Sequence, residues 1–292
     1  MRSDPSEYEF VIAASLREAV QLLSEQPKAW MPIAGGTDVM VQLAWGALRA
    51  DRLLSIWNLP ELRAIEVLGE EIRIGAGSTY TDVRRHQIIA REFPLLSLAA
   101  SWTGGIANQN RGTLGGNIVN ASPAADSLPA LLAYEAELIL ASAEGERRVA
   151  YLDFHKDYKK MELGPAELIR AICLKPRFRK YVSYARKVGA RSAQAIAKVS
   201  IAALGRVEKD KVAEARIALG SVAPIPIRLR ETERVLVGSR LDAQTMARAR
   251  KMAVAESRPI DDIRSTARYR AAVVENLVAE FLETLAAAQS DE

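Results

Sequence analysis

The chain has 292 residues, of which 49% are hydrophobic and 26% charged, and its 40 basic and 36 acidic residues leave a formal charge of +4. This length can bury one large core or two modest ones, and we expect two domains. The small charge, spread over interleaved acids and bases, argues against a nucleic-acid-binding protein, and the absence of a run of 18 apolar residues argues against a membrane span.

The sequence has few features of a metal-binding protein or of a secreted one. The single cysteine, Cys173, excludes an internal disulfide and any cysteine-ligated cluster or zinc site, and its apolar neighbours indicate a buried structural thiol. His86 and His155 lie far apart in sequence, so we interpret both as surface or structural residues and expect no metal site. Residues 1–7 contain acids and no apolar stretch typical of a signal peptide, and we therefore expect a cytoplasmic protein.

The N-terminal third predicts a helix followed by a strand, a glycine turn and a second helix. Ser15 and Glu18 form a capping-box pattern before a helix that ends by Pro27. The apolar residues 30–34 predict a strand, and residues 39–48 have the composition of a helix.

Alternating strands and helices continue to residue 151. Strands are predicted at residues 53–57 and 72–76, and a helix at residues 82–90. Residues 138–141 and 148–151 flank a polar glycine turn and predict a β-hairpin. This alternation is typical of a mixed α/β region.

The sequence changes character near Pro176, which begins a basic stretch that we interpret as the domain junction. Beyond it, residues 199–207 and 212–222 predict two strands, and residues 243–256 and 266–287 predict helices. The last helix has an apolar stripe formed by Tyr269, Val273, Leu277, Phe281 and Leu285. The second domain is therefore predicted to be a small sheet covered by helices.

Residues 34–38 form the first of two glycine-rich segments that are suited to ligand binding. Gly35 and Gly36 permit a close backbone approach, and the N–H groups at the start of the following helix point outward together. Such a turn favours an anion such as a pyrophosphate, to which Thr37 can add a hydroxyl donor. We interpret Asp38 as a helix cap because its charge would repel a phosphate.

Residues 111–117 form the second segment, which continues to Asp126. Its glycines again open the backbone, and Asn117, Ser122 and Asp126 offer short polar groups that can hold the hydroxyls of a ribose or ribityl chain. Each segment, taken alone, is a weak signal and is more typical of a tight turn between packed elements.

Other nucleotide and hydrolase motifs are absent from the sequence. Gly75-Ala76-Gly77 has Tyr80 where a dinucleotide-binding G-x-G-x-x-G motif requires its third glycine, and there is no P-loop motif. There is also no G-x-S-x-G and no H-E-x-x-H. These absences argue against Rossmann, P-loop, esterase and metalloprotease sites.

Together, the two segments resemble the FAD-binding, or medium, subunit of the molybdenum hydroxylases, the family of xanthine dehydrogenase and aerobic carbon monoxide dehydrogenase. The family's A-G-G-[TH]-[DS] turn matches residues 34–38, and its T-[IL]-G-G-N loop, followed by A-S-P-x-x-D, matches residues 113–126. Its P-x-E-[LI]-[IL] motif matches residues 165–169, and residues 218–224 are similar to its C-terminal domain. The resemblance covers nearly the whole chain.

The resemblance implies an α+β protein with a vanillyl-alcohol-oxidase-type FAD-binding fold over residues 1–176, made of two α/β subdomains at about 1–58 and 59–176. A C-terminal α/β domain of the carbon monoxide dehydrogenase flavoprotein type would follow at residues 181–289. The implied FAD contacts are Met31, Pro32, Ile33, Ala34, Gly35, Gly36, Thr37, Asp38, Thr113, Leu114, Gly115, Gly116, Asn117, Asp126, Leu168, Ile169 and Lys187.

The resemblance also assigns a role to each group of contacts. Residues 31–38 and 113–117 would surround the pyrophosphate and the adjacent sugar, and Asp126 would bind a hydroxyl. Leu168 and Ile169 would lie near the flavin ring, which Lys187 would approach from the second domain.

The implied function is electron transfer in a heterotrimer. A large molybdenum-cofactor subunit would oxidise the substrate, and a small 2Fe-2S subunit would pass electrons to FAD and then to NAD or another acceptor. No residue of this chain is expected to be catalytic. Two alternatives stay open: a stand-alone flavin reductase resembling UDP-N-acetylenolpyruvylglucosamine reductase, and a flavin-free scaffold protein.

Overall fold

The computed structural model of the protein describes residues 7–191 and 194–288. Residues 1–6, which belong to the stretch searched for a signal peptide, and the predicted domain end at residue 289 lie outside the described residues. The chain divides into two compact units, each assembled from separated stretches. Unit 1 contains the residues up to Val83, Ile106–Ala121 and Ala136–Lys175, and unit 2 contains Arg84–Gly105, Ser122–Glu135 and the residues from Pro176 onward.

The described chain contains runs of strands and runs of helices. The strands are β1 (Glu9–Ile12), β2 (Met31–Ile33), β3 (Arg52–Ser55), β4 (Ile65–Leu68), β5 (Glu71–Gly75), β6 (Glu137–Ser142), β7 (Gly145–Ala150), β8 (His155–Asp157), β9 (Lys160–Met161), β10 (Leu168–Leu174), β11 (Val182–Val188), β12 (Val199–Glu208), β13 (Lys211–Gly220) and β14 (Ile227–Arg228). The helices are α1 (Leu16–Glu25), α2 (Val39–Ala44), α3 (Tyr80–Arg85), α4 (Gln87–Glu92), α5 (Pro94–Trp102), α6 (Ile106–Gln109), α7 (Leu114–Asn120), α8 (Leu128–Ala133), α9 (Arg230–Leu236), α10 (Ala243–Glu256) and α11 (Ala267–Ala287). The predicted α+β class is confirmed.

Unit 1 contains a parallel sheet of order β1-β3-β2 and an antiparallel sheet of order β4-β5-β10-β6-β7. Helix α1 begins as predicted: the Ser15 hydroxyl accepts from the Glu18 N–H (3.1 Å), and the Glu18 carboxylate accepts from the Ala14 N–H (2.6 Å). The helix then buries Leu23 in an apolar cluster that includes Leu54 of β3. The same cluster includes Ala141 of β6 and Leu168 of β10, so this packing, together with the cap, fixes α1 against strands of both sheets.

Unit 2 is built on an antiparallel sheet of order β11-β12-β13-β14, against which α9 and α11 pack, with α10 packed on both helices. Helix α8 also packs on β12 and β13, although it precedes them by many residues. The C-terminal half of the predicted α11 stripe is confirmed, because Leu277, Phe281 and Leu285 are buried. At the N-terminal end, Val273 is partly buried and packs against the same core, but Tyr269 is wrong, since it is 44% exposed and the neighbouring Arg270 is buried.

Two predicted helices differ from the structure. Helix α2 ends at Ala44, and the predicted helix 82–90 is divided into α3 and α4 by His86, whose backbone is extended (φ −74°, ψ 118°). The second glycine-rich segment, for which no helix was predicted, contains the start of α7. Cap and packing contacts offset the low helix propensity of glycine there.

Cys173 and His155 are structural, as predicted. Cys173 is buried in β10, and burial raises the pKa of its thiol. The His155 ring is buried with Nε2 2.9 Å from the Ile118 carbonyl and Nδ1 3.3 Å from the Tyr151 hydroxyl, and burial lowers its pKa. Over residues 7–191 and 194–288, no group of three metal-ligating side chains occurs, and no helix is long and apolar enough to cross a membrane.

Candidate functional site

A cleft in unit 1, with a volume of about 430 Å³, brings the two glycine-rich segments together. Clefts that hold cofactors have volumes of roughly 300–1,000 Å³. The predicted site residues that line it are Met31, Pro32, Ala34, Gly35, Gly36, Thr37, Asp38, Thr113, Gly115, Gly116, Asn117, Leu168 and Ile169. Ile33 and Leu114 belong to the same segments but are buried in the core.

The remaining two predicted residues, Asp126 and Lys187, lie in unit 2 and pair with each other. The Lys187 Nζ is 2.6 Å from an Asp126 carboxylate oxygen and also donates to the Trp102 carbonyl at 3.1 Å. The Lys187 side chain is only 11% exposed and the Asp126 side chain only 8%. Burial raises the pKa of Asp126 to about 6, and the Lys187 charge opposes this rise. Their contact with FAD stays a prediction.

The two glycines of the 34–38 turn are required for different reasons. A Cβ atom on Gly35 would lie 1.7 Å from the Arg111 carbonyl oxygen, so only glycine allows the two backbones to touch. Gly36 has a φ of 77°, in the left-handed region that glycine favours. The Arg111 guanidinium donates to the Gly35 carbonyl (3.3 Å) and stacks on Trp57 at 4.0 Å, which holds the turn in place.

The turn presents free hydrogen-bond donors. Within residues 7–191 and 194–288, the N–H groups of Gly35, Gly36, Thr37 and Asp38 have no acceptor, and the α2 hydrogen bonds begin with the Met40 N–H, which donates to the Gly36 carbonyl (2.9 Å). Neighbouring N–H groups that line a concave turn form an anion site. The observed turn therefore fits a phosphate or diphosphate group.

The N–H groups at the start of α7 already have acceptors in the protein. The Leu114 N–H donates to the Ser78 carbonyl (3.0 Å) and the Gly115 N–H to the Ala76 carbonyl (2.8 Å), both from an earlier stretch of the chain. The Gly116 N–H donates to the Thr113 hydroxyl (3.1 Å), which caps the helix. Consequently, these glycines serve packing, and the segment contributes lining surface to the cleft.

Two residues that the sequence interpretation missed, Asn120 and Lys159, lie on the wall of the same cleft. The Asn120 amide donates to the Asp38 carboxylate (3.0 Å) and accepts from the Lys159 ammonium (2.9 Å). The interpretation of Asp38 as a capping side chain is wrong: it occupies the N-cap position of α2 but makes no capping hydrogen bond. Lys159 lies in a polar hairpin and belongs to no motif, so the sequence alone could not have identified it.

The loop from β9 to β10 completes the cleft. Glu167 accepts from both nitrogens of the Arg147 fork (2.6 and 2.8 Å) and from the Gly164 N–H (2.6 Å). The Arg147 hydrogen bond holds the pKa of Glu167 below its usual range. The glutamate of the P-x-E motif therefore positions the loop, and Leu168 and Ile169 follow it as an apolar wall.

Comparison with known proteins agrees with this geometry. Residues 6–176 match the family model described as the FAD binding domain in molybdopterin dehydrogenase, and residues 184–285 match the CO dehydrogenase flavoprotein C-terminal domain. The chain is 32% identical over 278 residues to the xanthine dehydrogenase FAD-binding subunit of Escherichia coli O157:H7, covering 94% of this chain and 95% of that subunit. It is 30% identical to the glyceraldehyde dehydrogenase medium chain of Sulfolobus acidocaldarius, covering 97% and 99% of the two chains.

A solved structure is similar over nearly the same length. The structure of carbon monoxide dehydrogenase from Hydrogenophaga pseudoflava superposes with a TM-score of 0.92 at 27% identity, covering 96% of this chain and 98% of that chain. The predictions of the fold type, of FAD as the cofactor and of an oxidoreductase subunit are thereby confirmed. The chain belongs to the family of FAD-binding subunits of the molybdenum hydroxylases.

Proposed function

We propose that this chain holds FAD in the unit 1 cleft and is the subunit through which electrons leave a cytoplasmic molybdenum hydroxylase. The relatives named FAD-binding subunit and medium chain, including a carbon monoxide dehydrogenase medium chain that is 28% identical, support a role as one subunit among several. The proposed partners are a small 2Fe-2S subunit and a large molybdenum-cofactor subunit, and the final acceptor is NAD or another oxidant.

The observation that carries this proposal is the row of N–H groups from Gly35 to Asp38 at the cleft, which have no acceptor in the described part of the chain. These donors bind the diphosphate, and the glycine backbone lets its oxygens approach closely. Leu168 and Ile169 form an apolar wall for the flavin ring. When bound, FAD accepts single electrons and releases them in pairs.

The residues of this chain bind and orient the cofactor and adjust its electrostatics, while substrate oxidation takes place in the partner subunit. Lys187 lies near the reducible ring in this proposal, where its charge stabilises the anionic reduced form, and Asp126 binds a hydroxyl. Lys187→Met should then lower the flavin reduction potential and leave the FAD stoichiometry near normal. A redox titration in which the potential does not change would remove Lys187 from the flavin environment.

Neither alternative function is favoured by an observation. A stand-alone reductase and a flavin-free scaffold both lack support from the C-terminal match, which is to a CO dehydrogenase flavoprotein domain.

Two experiments test the proposal. The full chain, purified alone, should bind one FAD, be reduced by a chemical donor, and show no steady oxidation of xanthine or aldehydes. Purification of the native complex should recover a 2Fe-2S subunit and a molybdenum subunit with it. Steady substrate oxidation by the isolated chain, free of molybdenum and iron, would contradict the proposed division of labour.

A further inference from the structure

Three side chains form a continuous chain of hydrogen bonds on one wall of the cleft. Asn120, the last residue of α7, donates from its amide to the Asp38 carboxylate and accepts at its amide oxygen from the Lys159 ammonium. The Lys159 ammonium also donates to the Asn120 main-chain carbonyl. The connection joins the 34–38 turn, α7 and the β8–β9 hairpin, three separate stretches of unit 1.

The hairpin that carries Lys159 is held on α7. The His155 ring, at the start of the hairpin, is within hydrogen-bond distance of the Ile118 carbonyl (2.9 Å) in α7. Lys159 itself has a φ of 56°, a left-handed backbone that a lysine seldom adopts. The hairpin therefore places this lysine against α7 at some conformational cost.

Lys159 differs in charge from the other described residues that line the cleft. Among the described residues that line the cleft, it is the only one with a cationic side chain, while Asp38 and Glu167 are acidic. Glu167 is already paired with Arg147, which leaves the carboxylate of Asp38 beside the free N–H groups of the turn. An anion on that turn is repelled by Asp38 unless a cation offsets it.

Lys159 also has donor capacity left. Its ammonium carries three N–H donors, and within residues 7–191 and 194–288 its hydrogen bonds go to two acceptors, both on Asn120. Burial of the ammonium lowers the pKa of Lys159, and the charge of Asp38 favours its cationic form. A third donor remains for a ligand in the cleft.

We propose that the Lys159 ammonium binds the FAD diphosphate directly, and that Asn120 holds it in position and links it to Asp38. This inference rests on the proposed function, because it requires that the diphosphate lie on the Gly35–Asp38 turn. It adds a cationic ligand from the β8–β9 hairpin to a site otherwise made of neutral backbone donors.

The test measures the Kd of FAD for the full, flavin-free chain by flavin fluorescence at several salt concentrations. Lys159→Met and Lys159→Gln should raise the Kd at least tenfold, about 1.4 kcal/mol, and should weaken its salt dependence. Lys159→Arg should restore most of the affinity. Lys160→Met, which removes the adjacent lysine that pairs with Asp157 on the same hairpin, should leave the Kd unchanged.

A double variant separates direct binding from mere neutralisation of Asp38. If Lys159 contacts the diphosphate, Lys159→Met should weaken FAD binding in an Asp38→Ser background as well. Full restoration of affinity in the double variant would overturn direct binding.

The outcomes also distinguish this inference from the proposed function. A wild-type chain that binds no FAD contradicts the proposed function. Tight wild-type binding with an equal Kd for folded Lys159→Met, or equal losses in Lys159→Met and Lys160→Met, overturns only the role of Lys159.

Discussion

The two glycine-rich segments of the cleft look alike in sequence and differ in what their glycines do. In the 34–38 turn, four consecutive N–H groups have no acceptor within the described residues, and the turn is held from outside by Arg111. In α7, the first N–H groups bind Ser78, Ala76 and Thr113. One pair of glycines leaves donors free, and the other closes a packed contact.

The difference shows that a glycine pair is not by itself a phosphate site. Gly115 is required because a Cβ atom there would lie 2.6 Å from the Ala76 Cβ, whereas Gly36 is required for its positive φ. The functions are separable by substitution: changes in the turn should act on FAD binding, and changes at the start of α7 should act mainly on stability.

The largest expected effect is at Gly36. Gly36→Val should abolish FAD retention, because a β-branched residue at a φ of 77° carries about 1–3 kcal/mol of strain and moves the free N–H groups out of line. The effect acts through the backbone, since the new Cβ would meet only Met40 and Ile33, at 3.4 and 3.6 Å. Gly36→Asn is the matched control, because asparagine tolerates this conformation. Stoichiometric flavin in a folded Gly36→Val protein would contradict the assignment of the turn.

The far end of the second segment, at Asp126, should give a pH-dependent effect. The folded protein raises the pKa of Asp126 from 3.8 to about 6, so it holds this proton more tightly than the unfolded chain, and the contribution of Asp126 to stability falls as pH rises through that window. Lys187→Met should cost about 3 kcal/mol of unfolding free energy at pH 8, where the carboxylate needs its partner, and clearly less at pH 5.

Urea unfolding of the flavin-free chain at both pH values measures this difference. Lys180→Met, at an exposed lysine of the same unit, serves as the control and should change stability little at either pH. An equal loss for Lys187→Met at pH 5 and pH 8 would show that the ion pair does not govern the stability of this region.

Gly115→Ala should lower the unfolding free energy of the flavin-free protein by about 2 kcal/mol, because the added methyl group overlaps the Ala76 backbone and side chain. The folded variant should keep most of its FAD affinity. Unchanged stability combined with lost FAD binding would assign Gly115 to the cofactor and erase the contrast with the first turn.

The smallest effect is expected at the α7 cap. Thr113→Ala removes the hydroxyl that accepts from the Gly116 N–H and should cost about 1 kcal/mol, while Thr113→Ser should retain the cap. Chemical denaturation of the two variants provides the comparison. Equal stability of Ala and Ser at this position would show that the cap contributes nothing to α7.

Local sequence patterns predicted much of the fold because the interactions involved are local. The Ser15 cap, the strand before Gly35 and the hairpin around residues 143–146 follow from neighbouring residues alone. Helix α7 was not predicted, because two glycines disfavour a helix and the contacts that stabilise it, with Ser78 and Ala76, come from distant sequence.

The site was predicted only in part for the same reason. The glycine segments and the apolar pair Leu168 and Ile169 were found through their motifs, and the structure gathers them around one cleft. Lys159 and Asn120 carry no motif, and their importance is visible only when the hairpin and α7 lie side by side. Whether the protein itself supplies acceptors for the backbone N–H groups of a glycine turn depends on tertiary contacts, which no local pattern encodes.

The most direct test of the central claim is a crystal structure of the full chain with FAD bound. We expect diphosphate oxygens at about 2.9 Å from the nitrogens of Gly35, Gly36, Thr37 or Asp38, with the N–H groups of Leu114 and Gly115 still donating to Ser78 and Ala76. A diphosphate bound instead at the N-terminus of α7, with those internal hydrogen bonds broken, would contradict the account.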